Sequence, residues 1–169
     1  GATYNGGPWY GNDKFGDMRD TAEDILKAGA RPGLWYRPLY TIGDIPNDEV
    51  FFKESCKIVL DPSHPHVLER VYNDTKRIRD WGFDLIKHDF TTNDLTGLDS
   101  SYLLFYIGAL GGGRVFHDNT RTTATIIKDL YKTIQNAAGD AEVIGCNTLS
   151  HLTAGIHSIY RAGGDGSGR

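Results

Sequence analysis

Short apolar runs that alternate with stretches of helical period constrain this chain more than any other feature. Residues 34–39, 57–60, 83–90, 142–146 and 156–160 are dominated by aliphatic and aromatic side chains and are too short for helices. Between them apolar positions recur at helical spacing: Met18, Ala22, Ile25 and Leu26 over 18–28, Val67, Val71, Ile78 and Trp81 over 65–81, and Ile126, Ile127, Leu130 and Ile134 over 122–138. Gly29 and Gly82 stop the first two helices. Strands that are short apolar runs without strict polar/apolar alternation, alternating repeatedly with helices, predict an α/β fold with a parallel sheet covered by helices. A doubly wound sheet and a (β/α)8 barrel both satisfy this pattern, and both deliver functional groups to the C-terminal ends of strands.

The remaining segments read as connections. Residues 1–16, rich in Gly, Tyr, Trp and Asn without a period, form a loop carrying aromatic side chains, and 44–54 a polar loop. Residues 91–118 are a long excursion with an apolar patch at 102–110 and a glycine triplet at 111–113. Residues 149–155 connect the last two strands with a helical turn.

At 169 residues the chain has the length of one domain, and its composition, 39% hydrophobic and 24% charged, is that of a folded globular protein. A formal net charge of −4 without Lys/Arg runs gives no phosphate-neutralising patch, so nucleic acid is not an expected partner. No stretch approaches the roughly 20 apolar residues that span a bilayer, so no membrane partner is expected either. Cys56 and Cys146 lie too far apart in sequence for a disulfide framework or a metal-binding pair, and the compartment stays open. His64 and His66 follow a turn and open a helix, so they are read as capping or solvent-exposed residues; no metal and no cofactor are assigned.

At the strand ends a rim of polar groups assembles: Trp35 and Arg37, Lys87 and Asp89, Cys146 and Asn147, then Arg161 and Asp165. Lys87 and Asp89, two apart, share one strand face, where the ammonium can hold the carboxylate ionised. Arg161 and Asp165 stand four apart in a segment with glycines at 163, 164, 166 and 168. One charge-paired carboxylate and one on a glycine-rich loop suit the nucleophile and the acid/base of a retaining glycosidase, although Lys-x-Asp at a strand end also serves as a plain ion pair. His88 points to the opposite face and packs against a helix. Asp84, at the far end of its strand, is a cap or a salt bridge. Asp61 either forms the turn before Pro62 or reaches the rim. The tail 163–168 lacks the Lys-Ser/Thr of a phosphate loop, and no glycine-rich turn follows an early strand, which argues against a nucleotide-binding sheet.

The runs Gly33-Leu34-Trp35-Tyr36-Arg37-Pro38, Asp80-Trp81-Gly82-Phe83-Asp84-Leu85-Ile86-Lys87-His88-Asp89-Phe90 and Ile144-Gly145-Cys146-Asn147, followed by Arg161-Ala162-Gly163-Gly164-Asp165, resemble the α-galactosidase group of retaining glycoside hydrolases, family 36 and its near relatives. The resemblance extends over nearly the whole chain in the right order. It implies a (β/α)8 barrel of which this chain, as the single segment 1–169 of a larger protein, supplies about the second through sixth strands. It further implies Asp89 as nucleophile and Asp165 as general acid/base, with Lys87, Arg161, Cys146, Trp35 and Asn147 lining the sugar site. Cys146 would be an unoxidised thiol, and Trp35 an aromatic wall.

Two departures bear on the substrate. Phe90-Thr91-Thr92 stands where the group carries Asn or Met-Asn after the nucleophile, and the Asp-Asp-Gly-Trp element of the first barrel strand is not found. The implied activity is hydrolysis of terminal α-galactosides in an oligosaccharide, polysaccharide or glycoconjugate. Alternatives are an α-N-acetylgalactosaminidase, another α-glycosidase, a transglycosylase, or a non-catalytic sugar-binding or inert segment of such a barrel. An incomplete barrel exposes apolar sheet edges, which predicts self-association or completion by further polypeptide.

Overall fold

A computed structural model describes residues 6–54, 57–96 and 115–161. In chain order these form α1 (Met18–Lys27), β1 (Gly33–Tyr36), β2 (Tyr40–Thr41), β3 (Val50–Glu54), β4 (Lys57–Leu60), α2 (Pro65–Asp80), β5 (Leu85–His88), α3 (Thr91–Thr96), α4 (Thr123–Ala138), β6 (Glu142–Gly145), α5 (Ser150–Thr153) and β7 (Ile159–Tyr160). The longer helices begin where their caps dictate. Thr122 accepts the Thr125 amide ahead of α4, and His64 accepts the His66 amide ahead of α2, with Pro65 in the first turn. No described helix is long and apolar enough to cross a membrane.

Four strands form one parallel sheet in the order β1, β5, β6, β7. Their register aligns Trp35 with Lys87 and Ile144, and Tyr36 with His88 and Gly145. One face of this sheet is closed by helices: the Tyr36 hydroxyl lies 2.6 Å from Thr75 Oγ1 of α2, and the His88 ring stands 5.8 Å from that of Tyr131 on α4. Ile86, His88 and Val143 are buried there together with Val67, Val71, Ile126, Leu130 and Ile134. Leu85, Lys87, Glu142 and Ile144 alternate with them and are only partly covered, so these strands bury one face where burial of both was expected.

The parallel sheet is smaller than the sequence suggests. Residues 57–60, read as one of its strands, instead pair antiparallel with β2 and β3 in a separate three-stranded sheet, β2-β4-β3. The supposed polar loop 44–54 carries a 3₁₀ turn, Asn47–Glu49, and then β3. Phe51 is the reason: it is buried and stacks on Phe116 at 4.8 Å. This second sheet is inserted between β1 and α2, on the chain leaving the C-terminal end of β1. Among the described residues the parallel sheet is open, with β1 and β7 at its edges and Ile159 and Tyr160 exposed.

Candidate active site

Asp89 follows directly on β5, and its backbone amide donates to Tyr36 O at 3.0 Å, extending the pairing with β1 by one residue. The carboxylate is almost completely buried, at 4% exposure, yet it is well supplied with donors. Trp35 Nε1 donates to Oδ2 at 2.9 Å from β1. Asn147 Nδ2 donates to Oδ1 at 2.6 Å from the segment after β6, and the Phe90 amide donates to the same oxygen at 2.7 Å. Three neighbouring strands thus converge on one carboxylate. Burial alone pushes its pKa up, but the bonds from Trp35, Asn147, the Cys146 thiol and the Phe90 amide together outweigh it and hold the group below the usual carboxylate value.

Two of these donors sit on strained backbone. Phe90 has φ 64° and Asn147 φ 50°, the left-handed region that a bulky residue such as Phe rarely adopts. Strain of this kind persists only where the surroundings impose it. Around Phe90 they do: its ring packs edge-on to Trp35 at 6.3 Å, and the Arg37 guanidinium lies over it at 4.6 Å. Arg37 is in turn fixed by a forked ion pair with Asp94 of α3, Nε reaching Oδ1 at 2.9 Å and Oδ2 at 3.0 Å, and by Tyr40 at 4.2 Å on its other contact. Around Asn147, the Thr92 amide donates to its carbonyl at 3.1 Å. Asp94, which anchors this arrangement, gives no sign in the sequence beyond lying five residues after Asp89.

Lys87 shares the strand face as its spacing predicts, with Nζ 3.9 Å from Asp89 Oδ2. That is a charge contact outside hydrogen-bonding range, so the direct bonds to the carboxylate come from neutral donors, Trp35 and Asn147 on neighbouring segments and the adjacent Phe90 amide. Cys146 is a buried free thiol whose pKa is raised by burial and by Asp89, an effect that Lys87 and Arg161 oppose. Arg161 continues β7, its amide donating to Gly145 O at 2.9 Å. Trp35, expected as a wall for a sugar face, spends its indole N–H on Asp89; it also borders an aromatic groove of about 210 Å³ lined by Trp9, Tyr10, Phe15 and Trp81. Asp165, the expected acid/base, lies outside the described residues.

The structural readings of the remaining polar residues hold. His88 is fully buried against Tyr131, and Asp84 pairs with Arg31 at 3.0 Å. Asp61 is buried and accepts the Ser63 amide at 2.8 Å and the His117 amide at 2.6 Å, which makes it a turn and loop anchor. His64 caps α2.

No protein-family model matches the chain, and no curated protein matches it in sequence. Solved structures do share its fold. The α-galactosidase TtGalA of Thermus thermophilus, in complex with p-nitrophenyl α-D-galactopyranoside, aligns over 93% of this chain and 32% of its own, with a TM-score of 0.68 and 23% identity. The isomalto-dextranase of Arthrobacter globiformis T6, in complex with panose, aligns over 94% of this chain and 29% of its own at TM-score 0.59 and 18% identity. Ega3 of Aspergillus fumigatus, in complex with galactosamine, aligns over 84% and 54% at TM-score 0.59 and 12% identity. The chain spans about a third of the length of the Thermus enzyme, and at these identities the likeness is one of fold.

Proposed function

We propose that this chain carries both carboxylates of a retaining glycoside hydrolase site that acts on terminal α-galactosides, Asp89 as nucleophile and Asp165 as general acid/base. The observation that carries the reading is Asp89: a buried carboxylate at the C-terminal tip of a parallel strand, kept ionised by donors from three segments and aimed by strained backbone. A structural ion pair needs neither the strain nor the three neutral donors. The fold likeness to an α-galactosidase in complex with a galactoside supports the same reading and favours galactose as the sugar.

In this mechanism Asp89 attacks the anomeric carbon and forms a glycosyl ester, while Asp165 gives its proton to the departing oxygen. Oδ1 already accepts two short N–H bonds, from Asn147 and Phe90, so Oδ2, facing Lys87 and Trp35, is the attacking atom. In the second step Asp165 takes a proton from water, the water oxygen bonds to the anomeric carbon, and the ester bond breaks to return the Asp89 carboxylate. Lys87 and Arg161 bind sugar hydroxyls at the rim, and Cys146 stays a neutral thiol beneath the sugar.

The test is turnover of an aryl α-galactoside by the folded chain, with the configuration of the released sugar followed by proton NMR. Retention is expected, with a loss of about 10³-fold or more in Asp89→Asn. Inverted product, turnover indifferent to Asp89→Asn, or a folded chain that neither turns over nor is labelled at Asp89 by a fluorinated galactosyl donor would each sink the proposal for this polypeptide.

A further inference from the structure

We propose that the inserted antiparallel sheet and the start of α2 form a site for a divalent transition-metal ion of the zinc class, ligated by Glu49, His64 and His66. Each of these residues brings one ligand atom, and the three atoms lie within 4.8 Å of one another. They come from two places that the fold holds together, the 3₁₀ turn before β3 and the first turn of α2. The Asp61 amide, donating to Glu49 O at 2.8 Å, ties those places to each other.

The donor set matches the chemistry. Two imidazoles and a carboxylate suit zinc and its neighbours better than calcium or magnesium, which take oxygen ligands. In a tetrahedral zinc site, with bonds of about 2.0–2.1 Å, ligand atoms stand roughly 3.3 Å apart. His66 Nδ1 is already 3.6 Å from Glu49 Oε1, and three protein ligands leave the fourth position to water. His66 is the exposed member, its side chain 71% exposed and touching the edge of the His64 ring, so closure turns one solvent-facing ring.

Glu49 is held as a ligating carboxylate usually is. Glu49 is buried, and Arg70 Nε bonds its Oε2 at 2.8 Å, which leaves Oε1 toward His66. A ligating carboxylate with its second oxygen hydrogen-bonded is the common outer-shell arrangement. The His64 ring is packed between those of His66 and His117, with centroids at 5.1 and 4.4 Å. One bond must change on loading. His64 Nδ1 now accepts the His66 amide at 3.2 Å, and an imidazole ligating through Nε2 carries its proton on Nδ1, so metal binding replaces that capping bond. The ion would fasten the insertion to α2, a role separate from Asp89 chemistry.

Zinc titration of the metal-stripped full chain by calorimetry tests this, with cobalt as a spectroscopic substitute. One equivalent is expected to bind. Weakening by at least about tenfold is expected in His66→Ala, whose exposed side chain adds little to the fold, and in the isosteric Glu49→Gln. His151→Ala, at an exposed histidine of α5, should leave the affinity unchanged. The proposal fails if the folded chain binds no zinc, if His66→Ala binds as tightly as the parent, or if bound cobalt shows a sulfur charge-transfer band that assigns the ion to a cysteine.

Discussion

Asn147 and Phe90 each donate a short hydrogen bond to Asp89 Oδ1 from left-handed backbone, so the protonation state of the carboxylate depends on two residues that must stay in disfavoured conformations. Removing the Asn147 side chain takes one donor from the charged form and leaves the burial unchanged. The Asp89 pKa in Asn147→Ala is therefore expected to rise, and the acid limb of kcat/KM to move to higher pH. A carbon-13 NMR titration of the Asp89 carboxyl reads this even without turnover, and an unmoved pKa would show that Asn147 does not support the charge. At this scale the sequence was half legible. Spacing two apart is enough to put Lys87 beside Asp89, because strand geometry alone fixes it. Trp35 and Asn147 were readable as strand-end residues but not as donors to Asp89, since that requires the register aligning Trp35 with Lys87 across two strands.

The connection between β1 and α3 has the same character at the level of elements. Arg37 leaves β1 and reaches Asp94 on α3, whose side chain is 0% exposed while Arg37 keeps 16%. Removing the cation takes the bonded positive charge from a buried carboxylate, so Arg37→Ala is expected to cost about 3 kcal/mol in a urea unfolding experiment. The double replacement Arg37→Met with Asp94→Leu should recover most of that stability, because no charge is left uncompensated. It should still impair activity, since Phe90 loses the guanidinium packed on its ring. A loss below about 1 kcal/mol in the single variant would mean that the pair behaves as a surface contact. The three long helices were legible to within a residue or two because apolar period and end signals mark them, as Thr122 does for α4, whereas α3 was missed, its six residues lying in what reads as a long excursion over 91–118. The insertion was not legible either. Asn47, Asp48 and Glu49 made 44–54 look polar and hid Val50, Phe51 and Phe52. The decisive clue for β4 was the two-residue gap after β3, which only an antiparallel pairing can bridge.

Across the whole molecule, the sheet is joined to its covering helix and to the approach to β7 by a pair of histidines, His88 buried and His157 partly buried. His88 Nε2 lies 3.1 Å from His157 Nε2, and His157 Nδ1 lies 3.1 Å from Gln135 Oε1 of α4. If Gln135 accepts, His157 Nδ1 carries the proton, His157 Nε2 accepts, and His88 Nε2 donates; His88 Nδ1 is then a buried nitrogen without a partner. A second proton on this pair is disfavoured by the burial of His88, which outweighs the opposing pull of Asp89. Burial, reinforced by His157, lowers the His88 pKa to about 3, and burial lowers that of His157 to about 4. Both values lie below the 6.5 of an unfolded histidine, so the unfolded chain binds more protons once the pH drops below about 6.5. Stability contributed by the neutral pair is complete above that value and is lost as the pH falls toward 4 and then 3, at up to about 1.4 kcal/mol per pH unit for one histidine. Asp89, Asp118 and Asp140, whose pKa values are lowered from 3.8, lose their contributions as the pH falls toward and below that value, and Asp74, which burial raises from 3.8, acts in the opposite direction, so a loss of stability that begins below 6.5 belongs to the histidines. Urea midpoints measured across the interval should fall with pH in the native chain and fall less in His157→Gln, which removes one of the two groups that must charge. A native chain equally stable at pH 7 and pH 4.5 would mean that the pair opens to water and takes up its proton without unfolding, and the sheet would then be held to α4 by its apolar contacts alone.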